Sequence, residues 1–317
     1  MTALVRALAA LTALGLCAVA VAQDGRIDDV SSGPIVFVVN DDDLAAAADC
    51  PGCTYAYPDP DANITFTVFR QNPNRAYTID ALHAGWEPAS VLQLEARYVV
   101  SSLDGTRVLL ESEWLSLSEA PLPTLVFTQA SVPRENRVLV TVALRLALTG
   151  DEAAGDLATR LTHRVRETGS AAMHDVFASL PTYLRVRLVG ATEAATAFGI
   201  AFDYGADPLT YLAAITTGVP LAVTASDLAW AEISTNHPNG YTVTLLIEDV
   251  IAPAGVDVGE RLLLLGAPAA GRTFSSDGPT NGVVTLFEGA DYALHVRGDE
   301  PPGTYAFTVR LHAIRNP

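Results

Sequence analysis

Apolar residues recur at every second position through most of this chain. From Arg137 to Leu148, Val138, Val140, Val142, Leu144, Leu146 and Leu148 fall on one face, while Arg137, Thr141 and Arg145 fall on the other. Only an extended strand sorts residues in this way. The pattern returns at Leu184, Val186 and Leu188 against Tyr183, Arg185 and Arg187, and again at Tyr305, Phe307, Val309 and Leu311 against Thr304, Thr308, Arg310 and His312. Turn signals separate these runs, among them Asp104-Gly105, Pro238-Asn239-Gly240 and Pro301-Pro302-Gly303. The pattern predicts an all-β fold of antiparallel sheets with one buried face.

The chain also says a similar thing twice. Gly150-Asp151-Glu152 and, three residues on, Gly155 return as Gly298-Asp299-Glu300 and Gly303, each opening an alternating run. Upstream, Pro73-Asn74 leads to Tyr77-Thr78-Ile79, and Pro238-Asn239 leads to Tyr241-Thr242-Val243. In this alignment Leu157 falls on Tyr305, Leu161 on Val309, His163 on Leu311 and Val165 on Ala313. Residues 151–177 are rich enough in Ala, Leu, Arg and Glu to compete as a helix, but the repeat predicts a strand there too. The reading is two tandem β-sandwich domains, 23–168 and 169–317, with the boundary in the small, polar run Glu167–Ala172.

Residues 1–22 read as a secretory signal peptide. Arg6 is followed by an apolar run ending in Ala20-Val21-Ala22, a small-x-small cleavage pattern, and polar residues follow at once. The mature protein is then expected to be secreted, periplasmic or on the cell surface, with no membrane insertion after cleavage. All 19 basic residues are Arg. The absence of lysine excludes phosphate-loop, Schiff-base, pyridoxal and biotin chemistry. A formal charge of −17 repels nucleic acid and anionic lipid, so no nucleic-acid partner is expected.

The closing run Gly303-Thr304-Tyr305-Ala306-Phe307-Thr308-Val309 resembles the last strand of secreted bacterial immunoglobulin-like and pilin-like sandwiches. The resemblance implies a surface, fibre or adhesion module.

Candidate chemistry is sparse. Cys50-Pro51-Gly52-Cys53 is expected to close a small disulfide loop in an exported protein, since redox activity needs the first cysteine at a helix N-terminus. Asp59, Asp61 and Asn63 have the spacing that opens a calcium loop, with Asp41-Asp42-Asp43 as acidic neighbours. However, Ile64 and Arg70 stand where that loop needs Gly and Glu, so a solvated acidic turn is expected. The six histidines are scattered, and His163 is expected at a strand end on the sandwich rim. His174-Asp175 lacks a Gly-x-Ser-x-Gly nucleophile to serve. No catalytic residue, cofactor or metal is predicted. Tyr55, Tyr57, Tyr77, Trp86 and Trp114 could line a saccharide face or pack a core. Ile35-Val36-Phe37-Val38-Val39 is an apolar strand that either pairs within its own domain or is donated to a neighbouring subunit. The function expected is that of a non-enzymatic structural or adhesive surface protein, a fibre subunit among the options, with a carbohydrate-binding module as the alternative. Its partners would be copies of itself, other cell-envelope proteins or a surface glycan.

Overall fold

The computed structural model describes residues 25–31, 33–70, 75–132, 135–190, 197–203, 208–218, 221–225, 229–253, 261–296, 301 and 303–317. Residues 1–22, expected to be a signal peptide, lie outside them, as do Pro73-Asn74 and Gly298 to Glu300. The fold is all-β, and the described residues form two short α-helices, α1 (Asp41–Asp49) and α2 (Pro208–Thr217).

In the N-terminal unit two sheets face each other. One runs in the order β1 (Arg26–Ser31), β4 (Ile64–Phe69), β10 (Arg137–Leu148), β6 (Gln93–Ser102), β7 (Val108–Glu111). Two short strands extend it, β3 (Thr54–Ala56) on β10 and β8 (Leu115–Ser116) on β6. The other sheet runs β2 (Ile35–Val38), β12 (Ala171–Leu180), β11 (Gly155–Val165), β5 (Thr78–His83), β9 (Thr124–Thr128). Within these, β1-β4-β10-β6 and β12-β11-β5 have the A-B-E-D and G-F-C order of a seven-stranded immunoglobulin sandwich. The alternating apolar residues read from the sequence, Val138 to Leu148, all point into the core. They meet Phe66, Tyr98, Ile79, Leu161 and Val176 there.

The described residues of the C-terminal unit form three sheets. They are β13 (Leu184–Val189), β16 (Trp230–Thr235), β21 (Val284–Leu286); β14 (Ala197–Asp203), β23 (Thr304–Arg315), β17 (Tyr241–Ile251), β20 (Thr273–Ser276); and β15 (Leu221–Ala225), β22 (Tyr292–Val296), β18 (Leu262–Leu264), β19 (Ala267–Pro268). A second apolar cluster, with Tyr292, Tyr305, Phe307 and Val243 fully buried, fills this unit.

Residues matched by the sequence alignment hold corresponding register positions. Ile79 faces Val165 and Leu82 faces Thr162 between β5 and β11. The aligned residues face each other in the same way between β17 and β23, Val243 with Ala313 and Leu246 with Arg310. The glycines that open the two long strands share an unusual backbone, φ 140° at Gly155 and φ 149° at Gly303. A side chain is strained at such angles. A Cβ on Gly303 would also stand 2.8 Å from Cγ of Pro253, whereas one on Gly155 would meet nothing within 4 Å. Gly303→Ala is therefore expected to lower stability by about 2–3 kcal/mol and Gly155→Ala by about 1 kcal/mol. Urea midpoints of the two variants measure the difference, and equal values would contradict it.

The boundary expected at Glu167–Ala172 is corrected. Gly169 N–H donates to Val165 O and Val165 N–H to Ser170 O, so this polar run is the turn of the β11–β12 hairpin. Small polar residues mark tight turns as well as linkers. The first cluster instead extends to Tyr183, and the second begins beyond it.

A polar junction joins the units. Asn236, buried at the end of β16, accepts from Tyr183 N–H (2.8 Å) and donates through Nδ2 to Glu152 O (3.0 Å) and Pro181 O (2.9 Å). The Tyr183 hydroxyl donates to Gly150 O, Gly282 N–H to Asp151 Oδ1, and Arg185 to Ala45 O and Asp49. Buried Glu152 fixes its own loop by accepting from Thr149 N–H and Oγ1 and from Gly150 N–H. The helix α1 carries part of this junction. It begins with a capping box in which Asn40 accepts from Asp43 N–H and Asp43 from Asn40 N–H.

Candidate functional site: an aromatic and arginine cluster on the outer sheet face

The outer face of the larger sheet gathers three of the five aromatic residues considered for a saccharide face. Strand β3 brings Tyr55 alongside Ala147 of β10, Tyr57 follows two residues later, and Trp114 immediately precedes β8. Arg145, outward on β10, lies directly across from Glu95 on β6. Its guanidinium carbon stands 3.6 Å from the Tyr55 ring centre and 4.3 Å from that of Trp114. Trp114 in turn meets Tyr57 edge-on at 6.3 Å. Arg145 Nε donates to Glu95 Oε2 at 2.6 Å, and this partnership with Glu95 and the Tyr57 hydroxyl raises the guanidinium pKa against the opposing effect of partial burial.

The result is a stack of planar groups held by four separate stretches of the sheet. Tyr57 is 57% exposed, while Tyr55 and Trp114 are half-buried. The rings are therefore both accessible and fixed in orientation, which lowers the ordering cost of binding. Arg145 is the keystone. Its replacement by Ala removes two ring contacts and leaves half-buried Glu95 without its ion partner, so a loss of about 2–3 kcal/mol is expected. Arg145→Lys should recover little, because a point charge cannot stack as a plane does. Chemical denaturation checks both values.

The other two aromatics belong to the core. Trp86 is buried with its indole N–H donating to Leu92 O, and Tyr77 is buried against Phe127. Desolvation pushes the Tyr77 hydroxyl up to about 12. Spacing along the chain could not separate the two groups, since each sits beside a strand.

The apolar run Ile35–Val39 pairs within its own unit. Strand β2 lies parallel to β12, Ile35 facing Val176 and Phe37 facing Ala178, and Ile35, Phe37 and Val39 are buried. Val36 and Val38 remain exposed on the other face, Val36 opposite exposed Phe177. β2 is the last strand of its sheet, and no described strand lies beyond it.

Cys50 and Cys53 lie at bonding distance, with Cα atoms 5.4 Å apart. Cys50 caps the C-terminal end of α1, its N–H donating to Ala46 O. The negative end of a helix dipole disfavours a thiolate, the opposite of what redox cysteines require. A structural disulfide is expected, and the unreduced mature protein should be about 2 Da lighter than its reduced form. Free thiols in the unreduced, purified protein would contradict it. In the acidic turn, Asp59 Oδ1 accepts from Asp61 N–H, and Asn63 Nδ2 donates to Pro60 O, so both side chains serve local structure.

The histidines correct the sequence reading. His163 is not on the rim: it is fully buried between the sheets, with the Tyr98 hydroxyl 3.1 Å from Nε2 and Phe66 stacked at 5.0 Å. His174 lies 5.4 Å away, centre to centre, and is buried too. The β11–β12 hairpin brings them together by facing Leu161 with His174. Asp175 points the other way, into an exposed pair with Arg160, so His174 and Asp175 do not form a dyad.

No protein-family model matches this chain, and no curated protein does. Among solved structures it is similar to the CooA pilin subunit from enterotoxigenic Escherichia coli, with 7% identity over 50% of this chain and 98% of that one, at a TM-score of 0.27. It is also similar to the CupB6 tip adhesin from Pseudomonas aeruginosa, with 10% identity over 91% of this chain and 89% of that one, at a TM-score of 0.26.

Proposed function

We propose that this chain is an exported, non-enzymatic adhesive protein of the bacterial cell surface, docking through the outer face that carries Tyr55, Tyr57, Trp114 and Arg145. The observation that carries this reading is the stack itself. Trp, Tyr and Arg are the residue types that dominate binding energy at interfaces, and here they are presented together on a strand scaffold. The test is capture of the mature protein by purified cell envelopes, compared with the Tyr57→Ala variant. Equal capture, or none by either protein, would sink it.

The open edge of β2 favours a second reading, a fibre subunit. Natural edge strands are guarded by charge, proline or bulges. Residues 35–39 hold none of the charged or proline guards, and Val36 and Val38 stand exposed there. Beside β23, moreover, the place taken in the N-terminal unit by the next strand in sequence, β12, is filled by β14 from far upstream. A seat that accepts segments of different origin suits strand addition between copies. Val38→Arg leaves the buried residues of β2 intact. It should abolish any concentration-dependent association in sedimentation velocity, and a wild type that stays monomeric at high concentration removes this reading.

A further inference from the structure

Resting on the adhesive reading, we infer that the outer-face stack is a saccharide subsite for a neutral pyranose. The pyranose ring would lie on Tyr57 and the adjoining edge of Trp114, and its hydroxyls would meet Glu95 and Arg145. The chemistry follows from three features.

First, a pyranose presents a face of C–H groups that stacks on an aromatic ring, and it needs a ring that is exposed and cannot turn away. Tyr57 is the most exposed aromatic of the cluster, and its edge contact with Trp114 restrains it. Trp114 is itself stacked on Arg145, and Arg145 on Tyr55, so the platform is built before a ligand arrives.

Second, vicinal hydroxyls pair best with planar groups offering two donors or two acceptors side by side. The Arg145 guanidinium and the Glu95 carboxylate are such groups. Their mutual hydrogen bond fixes them at the floor of the platform, with 14% and 16% of their side chains exposed.

Third, the charge at the site is balanced. Arg145 pairs with Glu95, and on the same face Arg97 pairs with Glu111, in a protein whose formal charge is −17. Nothing here compensates an anionic sugar, and the field of the whole protein repels one. The fit is to a neutral hexose polymer rather than to an acidic one.

The test uses the mature protein with four probes: a neutral glucan hexasaccharide, a neutral mannan hexasaccharide, hexagalacturonate and sialyllactose. Calorimetric titration should give a dissociation constant below about 1 mM for at least one neutral probe and weaker binding of both anionic probes. Tyr57→Ala should weaken neutral binding by about tenfold or more, while Tyr57→Phe keeps the ring and the affinity. Trp114→Ala should do the same where its melting temperature shows it folded, and exposed Tyr57 carries the test if it does not fold. Preference for an anionic probe, neutral binding indifferent to Tyr57→Ala, or no binding of any probe overturns the inference. A parallel capture on enzymatically deglycosylated envelopes separates the two claims. Capture that persists without glycan, yet still depends on Tyr57, overturns the saccharide and leaves the adhesive reading standing.

Discussion

Lowering the pH from 7 to 4 should cost the N-terminal unit about 5 kcal/mol through two buried histidines. Desolvation holds His163 near about 3, with the neighbouring His174 adding to the depression, and desolvation holds His174 near about 4. In the unfolded chain both titrate near 6.5. The unfolded state therefore takes up protons as the pH falls through 6.5, while the native core refuses them until the pH reaches 3 to 4. Stability is lost across that window and levels off below it. Since domains of this size are stable by only about 5–15 kcal/mol, the loss is comparable to the whole. Carboxylates that titrate over the same range contribute their own slope, so the informative quantity is a difference between proteins. The double variant His163→Phe/Tyr98→Phe removes one histidine without stranding the hydroxyl that bonds it. Its urea midpoint should decline with acid by about half as much as the histidine share of the wild type. Identical slopes would refute the account of this core.

Asn236→Ala should destabilise the protein by about 3–5 kcal/mol and split one unfolding transition into two. The side-chain amide is buried and satisfies groups of Tyr183, Pro181 and Glu152 at once. Its truncation leaves buried N–H and C=O groups without partners, each costing about 1–3 kcal/mol. These are also the bonds that tie the loop before β11 to the end of β16. Without them, Arg185 to Ala45 O and Asp49, and Gly282 N–H to Asp151, remain among the ties between the two units. Calorimetry should resolve two endotherms for the variant. One sharp transition at an unchanged temperature would show that the junction is not the coupling element.

The strands were readable because each buries one face, and Val138 to Leu148 alternate without a break. The repeat was readable for the same reason: Gly155 and Gly303 open matching strands, and a shared register keeps matching residues in phase. What the sequence could not convey was pairing across distance. His163 and His174 are eleven positions apart and look unrelated until a hairpin folds one over the other. The run Glu167–Ala172 has the composition of a linker, but composition does not distinguish a linker from a hairpin turn. Helix α1 is signalled by Asn40 with Asp43 three residues on, but the acidic run Asp41–Asp43 reads equally as part of a cation loop. Of the candidate site, the residue types were visible and the sorting was not. Tyr55, Tyr57 and Trp114 reach the surface while Tyr77 and Trp86 enter the core. Arg145, which holds the stack together, read only as the polar face of a strand.

The most direct measurement of the adhesive account is the fraction of mature protein retained by purified bacterial envelopes, wild type against Tyr57→Ala, at matched melting temperature. The account predicts saturable retention of the wild type and a loss of about tenfold or more in apparent affinity for the variant. Retention that does not saturate, or that is unchanged by Tyr57→Ala, would contradict it.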